Sequence, residues 1–340
     1  MVVEPKVLGS GPRFRPDGTR GGRSLTRLLT SNFPQRLKFS GHETFPFRYT
    51  WLAKLVQRAK EDPRLFQRED APVILGVGKN MVRSIRHWGI ALGLLETLDR
   101  GQKVRPTRLG RLIFDQDGWD PYLEDIGTLW LLHWQLVKNI EQASTWNLVF
   151  TVYGKNEFTR QELTEWILSH IGDDRPKSVS PSSIKRDVDV FVRTYVRSRD
   201  QRKGPIEDSF DCPLVELGLI EEVTPGHYEF PRREFPSLPQ EVFAYSLLDY
   251  WQLHFPENSS LTFEQVFIGV GSPSAAFRLS ENAMMGRLER LPTWSGLRLD
   301  ETAGRRVILR VDGEGVISQP VQALERYYHR GREVTPVVPQ

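Results

Sequence analysis

The segment Asp70–Phe114, DAPVILGVGKNMVRSIRHWGIALGLLETLDRGQKVRPTRLGRLIF, constrains the fold more than any other stretch of the chain. Gly76-Val77-Gly78 marks a sharp corner between two helices, because glycine adopts the positive φ that such a corner needs. Beyond it, Val82, Ile85, Trp88 and Leu92 recur at spacings of three and four, which predicts a helix from Lys79 to about Leu92 with one apolar stripe. Gly93 ends that helix, Leu94–Leu98 reads as a strand, Asp99-Arg100-Gly101 as a turn and Lys103–Pro106 as the returning strand. Thr107 is placed to cap a further helix. Helix, tight turn, helix, strand, turn, strand, helix is the order of a winged helix-turn-helix. Lys79, Asn80, Arg83, Arg86 and His87 fall largely outside the stripe, and the helix carries three cations and no acid. A face of that kind suits a phosphate-lined major groove. The same module can also dock proteins, since a fold does not fix a function.

Length and charge bound the rest. A chain of 340 residues, 39% hydrophobic, is long enough for two or three packed domains. Its net charge of +3 is unevenly placed. Residues 1–40 hold eight Lys/Arg against Glu4 and Asp17, which leaves the other 300 residues slightly acidic. Only local basic faces therefore speak for nucleic acid. Cys212 is the only cysteine, so an internal disulfide and a thiolate metal cluster are both excluded. The apolar run near Leu129–Val137 is too short to span a bilayer, and the N-terminus lacks the apolar core of a signal peptide. The expectation is a cytoplasmic protein with no membrane partner.

Along the chain, residues 1–36 read as a flexible basic arm rich in Gly, Arg, Pro and Ser. A first winged-helix domain is expected over 37–120 and a helical connector over 121–157. Within the connector, Asp125–Asn139 is apolar nearly all round, as a central buried strut would be. A second winged-helix domain is expected over 158–235. Thr159 to Glu162 has the capping-box pattern, and Ser180-Pro181 opens a helix whose stripe is Ile184, Val188, Phe191, Val192 and Tyr195, with Lys185, Arg186 and Arg193 outside it. Leu92-Gly93-Leu94-Leu95-Glu96 and Leu217-Gly218-Leu219-Ile220-Glu221 stand at equivalent places in the two domains. Residues 236–315 form a C-terminal helical domain and a candidate third winged helix, and 316–340 a helix and tail. The fold class is thus mainly α with small β-wings: tandem winged modules joined by buried aromatic-rich helices.

Catalytic signals are weak. Leu75–Asn80 resembles a phosphate loop, but Val73 stands where the first glycine belongs and Asn80 where a hydroxyl belongs. His42 and Glu43 in SGHETFPF are the best metal or acid–base pair, yet no second ligand cluster accompanies them. Ser40 or Thr44 as a helix cap, with His42 packed under aromatics, is the plainer reading. His133 reads as a core histidine and Cys212 as buried packing. Asp208, Asp211 and Glu216 near Lys203 lack the arrangement of a metal nuclease. No catalytic residue, cofactor or metal is assigned.

SGHETFPFRYTWL, LGVGKNMVRSIRHWG, DPYLEDIGTLWLLHW, SIKRDVDVFVRTY, EDSFDCPLVELGLI, FAYSLLDYW and LDETAG together resemble the domain of unknown function 4007 family of bacterial and archaeal proteins, over roughly residues 37–311. The resemblance implies a neighbourhood of sulfurtransferases similar to phosphoadenosine-phosphosulfate reductases, in DNA phosphorothioation and phage-defence clusters. It supplies no catalytic residues. The expectation is a non-enzymatic DNA-binding accessory or regulator of such a system. Lys79, Asn80, Arg83, Arg86, His87, Arg100, Lys103, Lys185 and Arg186 would meet double-stranded DNA. The alternative is an adaptor that recruits a sulfurtransferase or ATPase component.

Overall fold

The computed structural model describes residues 37–171, 179–197, 212–302 and 304–330. The N-terminal arm and Lys203, Asp208 and Asp211 lie outside the described residues. The protein is mainly helical, with one two-stranded and two three-stranded antiparallel sheets among the described residues.

A related order of elements, helices followed by a β-hairpin, occurs three times with local variations. In the first copy, α1 (Tyr49–Glu61) leads through Pro63 to α2 (Ala71–Leu75), α3 (Lys79–Ala91) and the hairpin β1 (Leu95–Leu98) and β2 (Lys103–Pro106). The second runs α6 (Ser144–Thr151), β3 (Glu157–Thr159), α7 (Arg160–Ile171), α8 (Pro181–Tyr195), a 3-10 turn (Pro213–Leu217), β4 (Glu221–Thr224) and β5 (His227–Glu229). The third runs α9 (Gln240–His254), β6 (Ser260–Thr262), α10 (Phe263–Phe267), α11 (Pro273–Ala276), α12 (Glu281–Glu289), a 3-10 turn (Thr293–Ser295), β7 (Leu297–Thr302) and β8 (Arg305–Arg310). The strand orders β3-β5-β4 and β6-β8-β7 are the same pattern: the first strand pairs with the last. In the first copy that strand is reduced to a single bond, from the Val104 N–H on β2 to the Pro63 carbonyl at 2.9 Å.

Local chemistry explains the elements. Thr107 Oγ1 accepts from the Gly110 N–H and caps α4 (Arg108–Phe114), and Ser180 accepts from the Ser183 N–H and caps α8. Thr159 and Glu162 form the reciprocal bonds of a capping box at 2.8 and 3.2 Å. Each hairpin is preceded by a glycine in the left-handed region: Gly93 (φ 68°), Gly218 (φ 60°) and Gly296 (φ 65°). Each of these glycines is followed by a buried leucine, Leu94, Leu219 or Leu297. The Gly-Leu pair of the Leu-Gly-Leu echo thus recurs at a third site, Gly296-Leu297, where Ser295 replaces the first leucine. Three features add to the sequence reading. α6 lies within the expected helical connector but was not delimited there, β3 and β6 are three-residue strands not foreseen, and α11 fills the long span expected between the helices of the third copy.

α5 (Ile126–Lys138) is the strut the sequence anticipates, with every residue from Gly127 to Val137 buried. Its polar side chains reach the second and third copies. His133 bonds the Tyr195 hydroxyl on α8 at 2.9 Å and the Ala276 carbonyl on α11 at 2.8 Å. Because a carbonyl only accepts, Nε2 carries the proton and Nδ1 accepts from Tyr195. Burial pushes His133 down to about 4. Trp134 Nε1 and Lys138 Nζ each donate to Asp249 of α9 at 2.7 Å. Just past α5, the Asn139 amide donates to the Ala91 carbonyl at the end of α3 at 3.1 Å. The last helix, α13 (Val321–His329), packs against α9 and the start of α5. There Tyr328 stacks on Trp119 at 4.6 Å and meets the Thr128 hydroxyl at 2.7 Å.

Candidate nucleic-acid interface

α3 presents Lys79, Arg83 and Arg86 at spacings of four and three, hence on one face. Lys79, Asn80 and Arg83 are exposed. Arg86 is half-buried and donates to the Gly101 carbonyl at 2.9 Å, which fastens the helix to the tip of the β1–β2 hairpin. That tip has three consecutive left-handed residues, Asp99, Arg100 and Gly101, and displays the exposed Arg100. Lys103 pairs with Asp99 at 2.7 Å. On α8, Lys185 and Arg186 are exposed, and Arg193, seven residues beyond Arg186, shares its face. Lys79, Arg100, Lys185 and Arg186 make no ion pair among the described residues. Arg83 lies 3.7 Å from Glu43, and Asp189 of α8 pairs with Arg160 at 3.3 Å. Carboxylates are thus interleaved with the cations.

His87 is a correction. Expected on the outer face of α3, it is 5% exposed, and neither ring nitrogen has a hydrogen-bond partner among the described residues. The segment that covers it is the loop Ser40–Phe45. An added Cβ on Gly41 would stand 2.3 Å from His87 Nδ1, so only glycine lets the loop lie this close. Burial, reinforced by His42, Lys38 and Arg86 nearby, holds His87 well below the usual histidine range.

Ser40 and Thr44 do not cap a helix. The N-cap of α1 is Arg48, with no side-chain cap. Both instead lie in a loop with three non-glycine residues at positive φ: Ser40 (64°), Glu43 (49°) and Thr44 (69°). Conformations of that kind cost on the order of 1–2 kcal/mol per residue and need outside support. The support comes from two helices. On the α8 side, Asp187, 1% exposed, accepts from the Ser40 backbone N–H, from His42 Nε2 at 2.7 Å and from Thr145 Oγ1 at 2.7 Å. His42 Nδ1 accepts from the Thr44 N–H at 3.1 Å, which leaves the ring proton on Nε2, pointing at Asp187. Ser40 Oγ donates to the Ser183 carbonyl at 3.2 Å and Arg193 to the Thr44 carbonyl at 2.7 Å. On the α3 side, Trp88 Nε1 donates to the Phe45 carbonyl at 2.8 Å. His42 packs between Trp88 and Trp146, as anticipated, with ring centroids 6.2 and 5.9 Å away.

The structure therefore brings α3 and α8 to opposite sides of one loop, whose outer edge carries Arg83 on one flank and Arg193 on the other. Asp187 was missed by sequence reasoning. It lies at the three- and four-residue spacing of Ile184 and Phe191, and an acid inside an apolar stripe was the available signal. His42 and Glu43 gather no metal set: among the described residues no group of three potential ligands is placed to hold an ion. Nor, among them, is any helix long and apolar enough to cross a membrane.

The chain belongs to the family described as "Protein of unknown function (DUF4007)", whose model matches residues 39–328. Two solved structures resemble it over most of its length. One, described as "Magnesium ion-bound SspB crystal structure", is 34% identical over 89% of this chain and 91% of that chain, with a TM-score of 0.77. The other, "SspB crystal structure", is 33% identical over 88% and 90%, also with a TM-score of 0.77. No curated protein matches the chain.

Two outcomes are expected from the packing around His87. Gly41→Ala lowers stability in a urea titration, and adding His87→Ala recovers much of the loss, because the clash is between those two side chains. The depressed histidines also set a pH dependence. A histidine whose folded pKa lies below its unfolded value lets the unfolded chain bind more protons, so its stabilising contribution is complete above about pH 6.5 and is lost as pH falls. His87→Leu should flatten the fall in stability below about pH 6.5, by at most about 1.4 kcal/mol per pH unit, measured by denaturant unfolding beside the unaltered chain.

Proposed function

We propose that this protein is a DNA-binding accessory of a DNA sulfur-modification or defence system, built from tandem winged-helix units. α3 and α8 would be the recognition helices, with the β1–β2 and β4–β5 hairpins as wings; the third copy repeats the plan. The observation that carries the reading is the pairing of α3 and α8 across the Ser40–Phe45 loop, with Lys79, Arg100, Lys185 and Arg186 exposed and without ion-pair partners among the described residues. Phosphates are the ligands for which such cations need no further partner. Membership of the family, and the resemblance to solved SspB structures, support the placement beside phosphorothioation proteins, among them a sulfurtransferase similar to phosphoadenosine-phosphosulfate reductases.

The interleaved Glu43, Asp99 and Asp189 favour the second reading, an adaptor whose mixed face docks a protein of that system. A salt series separates the two. DNA binding predicts that log Kobs for a duplex falls linearly with log salt concentration, with a slope of about −0.9 per neutralised phosphate. Lys79→Ala with Arg83→Ala, and separately Lys185→Ala with Arg186→Ala, should each weaken binding and flatten that slope by up to about 1.8. Absence of salt-sensitive binding to any duplex, phosphorothioated or plain, overturns the DNA reading. Capture of the sulfurtransferase without DNA, lost in the same variants, establishes the adaptor. Strand scission of supercoiled plasmid in magnesium would make the protein an enzyme.

A further inference from the structure

The loop that joins α3 to α8 has an arrangement that ordinary packing does not require. Three of its six residues sit in the left-handed region without being glycine. One helical carboxylate, Asp187, answers a backbone N–H and a ring nitrogen of that loop together with a hydroxyl of α6. Trp88 of α3 anchors the far end of the loop, and Arg193 of α8 closes its outer edge. Both helices are thus tied by hydrogen bonds to the same six residues.

We propose that the Ser40–Phe45 loop, pinned by Asp187, makes α3 and α8 one rigid double reader, whose ligand is a duplex contacted at two segments a fixed distance apart. The inference rests on the nucleic-acid reading above and deepens it. Asp187 and His42 are positioning residues: they touch no nucleic acid and act by fixing where Lys79 and Arg83 stand relative to Lys185 and Arg186. Two contact patches held in register bind as a single event, because the second contact is made without a further loss of freedom. Loosening their separation weakens binding while leaving every cation in place.

The test pairs a distance with a binding curve, in the full chain. Spin labels go on Val73→Cys, at an 83%-exposed position beside α3, and Glu165→Cys on α7, with the buried Cys212 changed to Ser. Pulsed electron resonance should give a narrow distance distribution that a 30-base-pair duplex does not shift. Asp187→Asn keeps the shape of the side chain but turns one carboxylate oxygen into a donor. It should broaden the distribution and weaken duplex binding by about tenfold or more with the salt slope unchanged. Asp187→Ala should do the same, and Asp187→Glu should recover part of the affinity; circular dichroism of each variant separates loosening from unfolding. A broad distribution in the unaltered protein overturns the proposal, as does an Asp187→Asn protein with unchanged distances and affinity. If the distances behave as expected but no duplex binds, the rigid pair stands and the duplex falls as its ligand. A loss of slope in Asp187→Asn would assign Asp187 to charge balance and overturn its positioning role.

Discussion

A carboxylate can be buried only where donors surround it, and Asp187 is surrounded by donors drawn from two other parts of the chain. Without it the Ser40–Phe45 loop would have three left-handed residues and little to offset them. Without the loop, His87 and much of α3 would face water. The indole of Trp88 would also lose the Phe45 carbonyl that satisfies its N–H. The seam between the first and second copies therefore depends on one polar centre, in a region otherwise packed with Trp88, Trp146 and Phe191. Apolar packing supplies most of the cohesion there, but it is not directional. The hydrogen bonds to Asp187 specify which arrangement the packing adopts.

A second set of polar contacts performs the same task around the third copy, with guanidinium groups in place of a carboxylate. Arg278 is buried over the Phe230 ring, 3.8 Å from its centre, and donates to the Tyr153 and Lys155 carbonyls of the second copy. Arg287 donates to the Phe235 carbonyl at 2.8 Å. Burial lowers both, Arg278 to about 9 and Arg287 to about 10. Helix α5 hydrogen-bonds the second and third copies, and Asn139 just past its end does the same for the first. A helix buried on every side has to satisfy its polar side chains with neighbours, and this is why His133, Trp134 and Gln135 each reach a different residue of α8, α9 or α11.

Much of this was legible in the sequence, where the cause was local. Caps at Thr107 and Ser180, the Thr159–Glu162 box, the glycines before the first two hairpins and the all-round apolar α5 are decided within a few residues, and the structure has each of them. What could not be read depends on partners far along the chain. His87 is buried by Gly41 and Asp187 bonds to Ser40, and no periodicity within either helix records those neighbours. Helix α6 escaped because its eight residues are all buried and show no polar face, so the pattern that marks a helix was missing. β3 and β6 are too short for alternation to register, and their pairing with the last strand of each sheet is a tertiary fact. The shared face of Lys79, Arg83 and Arg86 follows from their spacing in the sequence, but the interleaving of Glu43 comes from the loop and not from the helix.

The seam made by α13 has a consequence for how the chain comes to be folded. Tyr328 and Tyr327 engage Thr128 and Asp125 across some two hundred residues of sequence, and Glu325 reaches Arg108 across a similar span. Contacts so distant in sequence form late, because the entropy of closing the intervening chain must be overcome first. On the ribosome, the second and third copies are synthesised before the segment that covers the start of α5 exists. Trp119 therefore waits, solvent-facing, for a ring made about two hundred residues later. The start of α5 is in this sense completed only after both later copies are made, and a nascent chain stalled short of Tyr328 would display an aromatic surface that the folded protein conceals.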